Sequence, residues 1–192
     1  KNFFHINESA YLKEIFVLIF PELDNLKRLD RLNKIYDKLQ INKELLLAIL
    51  LIDNKNSHEY FGHKYNVSNN IKDKLNLFAE HFQLLKENKN FFNQDLEKNI
   101  YLYDKHHLTN LNILNFVINS KFKLEDFSEI LKRILKSKTY RFNVDGKYLI
   151  ENGMQQGSSV GKVLKEVEKE WMKNNFKISN KRIKEIIRLN SN

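Results

Sequence analysis

Apolar residues recur along most of this chain at the three- and four-residue spacing that lines one face of a helix. Leu26, Leu29, Leu32, Ile35, Tyr36 and Leu39 form one such stripe over Asn25–Leu39. Ile71, Leu75, Phe78, Phe82 and Leu85 form another, behind a cap at Ser68 or Asn69. Between them ELLLAILLID, Glu44–Asp53, is apolar nearly all round, so a helix capped by Asn42 and running to Ile52 is expected near the centre of a bundle. A helix over Ser9–Phe20 should stop at Pro21, and others should cover Gln94–Tyr103, Thr109–Asn119 and Glu125–Lys136. The segment Asn54–Asn66 is less regular, and the pattern shows no fixed repeat.

After a linker at Ser137–Asn143 the pattern changes. Four of the five glycines fall between Gly146 and Gly161, a concentration that points to unusual backbone geometry or close approach to a partner. The expected elements are a helix over Gly146–Asn152, a turn through Gly153–Gly157, and a long helix from Ser158 or Ser159 to about Lys173. A last helix, capped by Ser179, should span Lys181–Leu189. Val160, Val163, Leu164, Val167 and Trp171 form the apolar stripe of the long helix, with Trp171 read as a core anchor and base stacking as its alternative. Two regions result, a helical body over 1–136 and a glycine-bearing, basic tail over 144–192.

Composition narrows the class. With 192 residues, 42% hydrophobic content, one proline and five glycines, the chain can fill a core but has few residues for the tight turns of a β fold. The expected fold is all-α, a multi-helix bundle with a C-terminal helical hairpin tail. There is no cysteine for disulfides or cysteine-ligated zinc. No apolar run approaches the roughly 18 residues of a membrane span, and no signal-peptide pattern is present, so a cytoplasmic protein without membrane contact is expected. The start at Lys1 raises the expectation of an upstream part.

The formal charge of +9 favours a polyanionic partner, nucleic acid first. A lysine-rich compositional bias, which the abundant Asn and Ile also fit, is the competing source of that charge. Its distribution is uneven: from Lys162 to Arg188 nine basic residues face four acidic ones, a net +5. In the tail, Gly153 can take the positive φ that ends one helix, while Gly157 and Ser158 open the next with backbone N–H groups free for an anion. Lys147, Ser159, Gly161, Lys162, Lys165 and Lys169 complete the candidate RNA-binding set, a clamp for a sugar–phosphate backbone. The alternative is an ordinary αα-hairpin in which Gly157 and Gly161 let helices pack closely.

Phe142, Gly146, Leu149, Gly153, Gly157, Gly161, Leu164, Glu168 and Trp171 stand at the positions of a C-terminal pattern found in class II tRNA nucleotidyltransferases and poly(A) polymerases. The tail resembles that family, with Tyr148 in an acidic slot and Gln156 and Ser158 in place of two prolines. The body is similar more loosely, through IFPELDNLKRLDRL at Ile19–Leu32 and KYNVSNNIKDKL at Lys64–Leu75. The resemblance implies α-helical body and tail regions that hold a tRNA acceptor arm or other RNA 3′ end. It also implies a separate head domain, in cis or in trans, that uses magnesium and a nucleoside triphosphate. The head's Asp-x-Asp pair and the neck's Glu-Asp-x-x-Arg do not occur in this chain; Glu125-Asp126 is followed by Glu129 and reads as a helix N-terminus. No catalytic or metal-binding residue and no cofactor is therefore expected here, and the chain alone is expected to be inactive.

The six histidines, with His58 and His63 and the pair His106-His107 as the nearest neighbours, show no i, i+4 ligand spacing and read as structural or surface residues. A nucleophile at Ser158 or Ser159 has no base or oxyanion site indicated by spacing. The leading expectation is an RNA-positioning region of a nucleotidyltransferase-like protein. A helical protein-interaction module without an RNA role is the alternative.

Overall fold

The computed structural model of the chain describes residues 20, 25–36, 39 and 41–190. The helix expected over Ser9–Phe20 and its stop at Pro21 lie outside them, Phe20 apart. The described residues form nine α-helices and no strand, so the fold is all-α, a multi-helix bundle. The chain divides into two compact units, Lys1–Ser137 and Lys138–Asn192.

The first unit holds α1 (Arg28–Asn33), α2 (Lys43–Leu51), α3 (Ser57–Lys64), α4 (Asn69–Glu87), α5 (Leu96–Ile118) and α6 (Leu124–Lys136). Asn42 caps α2 as its sequence position requires, its carboxamide oxygen accepting from the Leu45 N–H at 2.8 Å. Leu45, Ala48, Ile49, Leu50 and Leu51 are all buried, which makes α2 a central helix. Each large side chain among them contributes roughly 1.5–3 kcal/mol by leaving water. The stripe of α1 is buried at Leu26, Leu29, Leu32 and Ile35. Its α-helix is shorter than the periodicity predicts, because the chain tightens into i→i+3 bonds at Lys34 and Ile35.

Two arginines on α1 close the ends of neighbouring helices. Arg28 donates to the carbonyls of Ile49 and Ile52 at 2.6 and 2.9 Å, at the C-terminus of α2. Arg31 donates to Phe116 at 2.8 Å, Phe122 at 2.7 Å and Asn119 at 3.2 Å, where α5 ends, and its guanidinium lies 4.5 Å from the centre of the Phe116 ring. The last carbonyls of a helix lack internal partners and carry the negative end of its dipole, so a cation there satisfies both needs.

Helix α5 joins the two helices expected over Gln94–Tyr103 and Thr109–Asn119, with a break at Asp104 (φ 64°, ψ 164°). That conformation is costly for a residue with a side chain. The Asp104 carboxylate offsets part of the cost by accepting from the His107 N–H at 2.8 Å, so it caps the second half of α5. His107 in turn shares a 2.8 Å contact between its Nε2 and Nδ1 of His81 on α4. At α6, the Lys123 N–H donates to the Asp126 carboxylate, consistent with reading Glu125-Asp126 as a helix start. Ser68 sits at the N-cap of α4 without a side-chain hydrogen bond.

The second unit holds α7 (Gly146–Glu151), α8 (Ser159–Lys173) and α9 (Asn180–Leu189). Its core is Leu149, Met154, Val163, Val167, Ile183, Ile186 and Ile187. Trp171 is 8% exposed and packs edge-on to Phe176 and tilted against Phe142, so it is a core anchor. Asp145 caps α7 and Ser179 caps α9 through side-chain bonds to the N–H groups of Tyr148 and Arg182. Val160 explains Gly146, since a Cβ there would stand 3.2 Å from Cγ1 of Val160.

Candidate nucleic-acid interface

The turn leading into the interface is built by Gly153. At φ +101° it occupies the position after the C-cap of α7, where a side chain would be strained. Its N–H donates to Ile150, and the next N–H, of Met154, donates back to Leu149. This pair of bonds closes the helix end, and the buried side chains of Met154 and Leu149 meet in the same core. Gly153 thus ends α7 as its spacing implies.

Gly157 and Gly161 behave differently. A Cβ at either would meet nothing within 4 Å, so neither lets helices pack closely, and the close-packing alternative fails at both. Both are exposed, and Gly161 lies inside α8, where glycine costs about 1 kcal/mol relative to alanine. Ser158 stands at the N-cap in a helical conformation (φ −63°, ψ −20°) with no side-chain cap bond, and the first turn of α8 carries no acidic residue. The helix therefore starts with an exposed surface of Gly157, Ser158, Ser159 and Gly161 around its positive end.

Down the same helix, Lys162, Lys165, Lys169 and Lys173 are exposed. At about 100° per residue they fall within an arc of about 80°, opposite the buried stripe of Val163, Val167 and Trp171. Among the described residues, Lys162, Lys165 and Lys169 make no ion pair. Two other basic groups of this unit, Arg182 and Lys147, are engaged. Arg182 binds Glu170 bidentately at 2.7 and 3.0 Å and reaches Glu185 at 3.2 Å. This holds the Glu170 carboxyl below its ordinary range, chiefly through the hydrogen bonds from Arg182, and raises Arg182. Lys147 lies on α7, exposed, 3.8 Å from the Glu151 carboxylate.

The nine candidate residues thus divide. Gly153 is structural, Lys147 is engaged with Glu151, and Gly157, Ser158, Ser159, Gly161, Lys162, Lys165 and Lys169 share the outer surface of one helix and its entrance. The Arg182–Glu170 pair escapes a reading of the sequence because twelve residues and a turn separate the partners, and no helical spacing links them. No described helix is long and apolar enough to cross a membrane. No family model, no curated protein and no solved structure matches this chain.

Proposed function

We propose that this chain is the RNA-binding helical region of a tRNA nucleotidyltransferase-like protein. Its tail grips phosphates of a tRNA acceptor arm or a similar RNA end and presents the 3′ terminus to a head domain supplied in cis or in trans. The observation that carries this reading is the row of Lys162, Lys165 and Lys169, unpaired and set opposite the buried stripe of α8. Phosphates are drawn by such a row without any reading of bases. The exposed glycines at the head of α8 let an RNA backbone approach the helix N-terminus closely, where N–H groups and the dipole favour an anion. Nucleotide addition would take place on the head, with magnesium and a nucleoside triphosphate supplied there. The contribution of this chain is orientation of the RNA.

Charge reversal at Lys162 and Lys165 tests this. The double variant K162E/K165E should bind tRNA more weakly, with the dependence of log affinity on log salt reduced by about 1 for each lysine that meets a phosphate. An unchanged slope would remove α8 from the interface and favour a protein-interaction module.

A further inference from the structure

The turn that ends α7 carries a reactive dipeptide. Asn152-Gly153 is the one Asn-Gly pair in the chain. The side-chain carbonyl of an asparagine is an electrophile within reach of the next backbone nitrogen, and a following glycine has no Cβ to hinder the approach. In the reaction the Gly153 nitrogen attacks Cγ of Asn152. The N–Cγ bond forms, the Cγ–Nδ2 bond breaks, and the proton of the Gly153 N–H leaves with the amide nitrogen as ammonia. Water then adds to either carbonyl of the five-membered imide, breaks its bond to the ring nitrogen and returns a proton to that nitrogen. The ring opens to aspartate or to isoaspartate.

The fold holds each participant away from this path. Asn152 has φ −98° and ψ 19°, which turns the Gly153 nitrogen away from the side-chain carbon that it would attack. The proton on that nitrogen is engaged, since the Gly153 N–H donates to Ile150 at 3.0 Å. The leaving group is engaged as well, with Nδ2 of Asn152 donating to the Tyr148 carbonyl at 2.8 Å. Gly153 stands at φ +101°, and the Met154 N–H donates back to Leu149 at 3.1 Å. Ring closure needs rotation about ψ of Asn152, and that rotation takes apart the turn that seats Leu149 and Met154 in the core.

The product cannot restore these bonds. A carboxylate at position 152 has no proton to give the Tyr148 carbonyl, and its charge stands at the negative end of the α7 dipole. Isoaspartate also adds a methylene to the main chain, which displaces Gly153 from the place where it closes the helix.

We propose that Asn152-Gly153 is a fold-gated deamidation site. It is silent while the end of α7 is closed, converts when the second unit opens, and once converted leaves that unit less able to close. Opening has its own free energy, and a reaction confined to the open form runs in proportion to the open population. Conversion does not depend on whether α8 binds RNA.

Incubation of the full chain at mildly alkaline pH, in native buffer and in urea sufficient to unfold it, is the test. Asn152 is followed by mass spectrometry of the tryptic peptide 148–162, through the exchange of NH2 for OH. Conversion should be about tenfold or more slower in native buffer than in urea. Leu149→Ala, which empties part of the core beside the turn, should raise the native rate towards the urea rate and leave the urea rate unchanged. Trp171, the single tryptophan and buried in this unit, reports its opening by fluorescence. In N152D that transition should fall at a lower urea concentration than in the parent. Equal rates in native buffer and urea, a native rate in L149A no higher than the parent's, or an unshifted transition in N152D would each overturn the proposal.

Discussion

The two units use the same kind of charge in opposite ways. In the first, Arg28 and Arg31 turn inward onto the carbonyl ends of α2 and α5, and their charge is absorbed by the fold. In the second, Lys162, Lys165 and Lys169 are exposed on α8 and make no ion pair among the described residues. The sequence bookkeeping follows the same line: Lys138–Asn192 holds twelve basic and six acidic residues, a net +6, which leaves +3 of the total +9 for the longer first unit. Cations near buried helix ends satisfy acceptors of the fold, whereas a solvated row on the side opposite a core stays open to solvent. Net charge alone does not separate the two; the acceptors within reach do.

Substitutions that exchange the roles should break this contrast. Arg31→Ala removes several carbonyl bonds and the contact with the Phe116 ring, and should destabilise the protein by about 3 kcal/mol in urea unfolding. Lys165→Ala, fully on the solvent side, should stay within about 0.5 kcal/mol of the parent. A loss of comparable size in both would erase the distinction.

The first unit should also respond to mild acid through histidines, which the second unit lacks. Burial, reinforced by His81 and His106 and opposed by Asp104, pushes His107 from 6.5 to about 4, and His81 is lowered too, chiefly by burial. A histidine lowered in the fold stabilises it above its unfolded pKa, and that contribution disappears as the pH falls through 6.5 towards 4. Thermal unfolding should therefore show a falling Tm across this window, and His107→Gln should flatten the fall. A Tm independent of pH in that window would mean that His107 takes up protons as readily folded as unfolded.

The glycines of the tail allow a finer test. Gly153→Ala puts a side chain at φ +101° and should cost about 1 kcal/mol or more. Gly161→Ala meets no neighbour within 4 Å and should stabilise α8 by about 1 kcal/mol, while weakening RNA binding if a backbone comes close there. Stability measured in denaturant, alongside RNA affinity, separates the two effects. A destabilised G161A would restore a packing role for that glycine.

Local signals in the sequence located several of the caps whose partner lies within one turn, although Ser68 makes no cap bond and the Asp104 cap on the His107 N–H carries no mark in the pattern. Asn42, Asp145 and Ser179 cap the helices that follow them through bonds three residues long, and Gly153 ends α7 where a left-handed residue was needed. The apolar pattern alone predicts the start of α7 at Gly146, and the Asp145 cap adds the bond that fixes it. The stripes of α1, α4 and α8 bury Leu26, Leu29, Leu32, Leu75, Phe78, Phe82, Val163 and Val167, while Leu85, Val160 and Leu164 are partly buried. Contacts over longer separations left no trace in the pattern. Arg31 reaches carbonyls 85 to 91 residues away, and His81 meets His107 across 26. Arg28 and Arg31 read in the sequence only as polar gaps between leucines. At the candidate interface the positions of Lys162, Lys165 and Lys169 on one face follow from helical spacing, but their freedom from ion pairs depends on where the acids fold. Glu170 is taken by Arg182, and Glu166 accepts from Asn190.

The central claim is that the solvated lysines of α8 face an RNA end. The most direct measurement is the affinity of this chain for a tRNA lacking its 3′ end against an unrelated stem-loop of equal length, at two salt concentrations. Preference for the tRNA, with a steep salt dependence that K162E/K165E reduces, is the predicted result. Equal and weak binding to both RNAs, unaffected by the lysine changes, would contradict it.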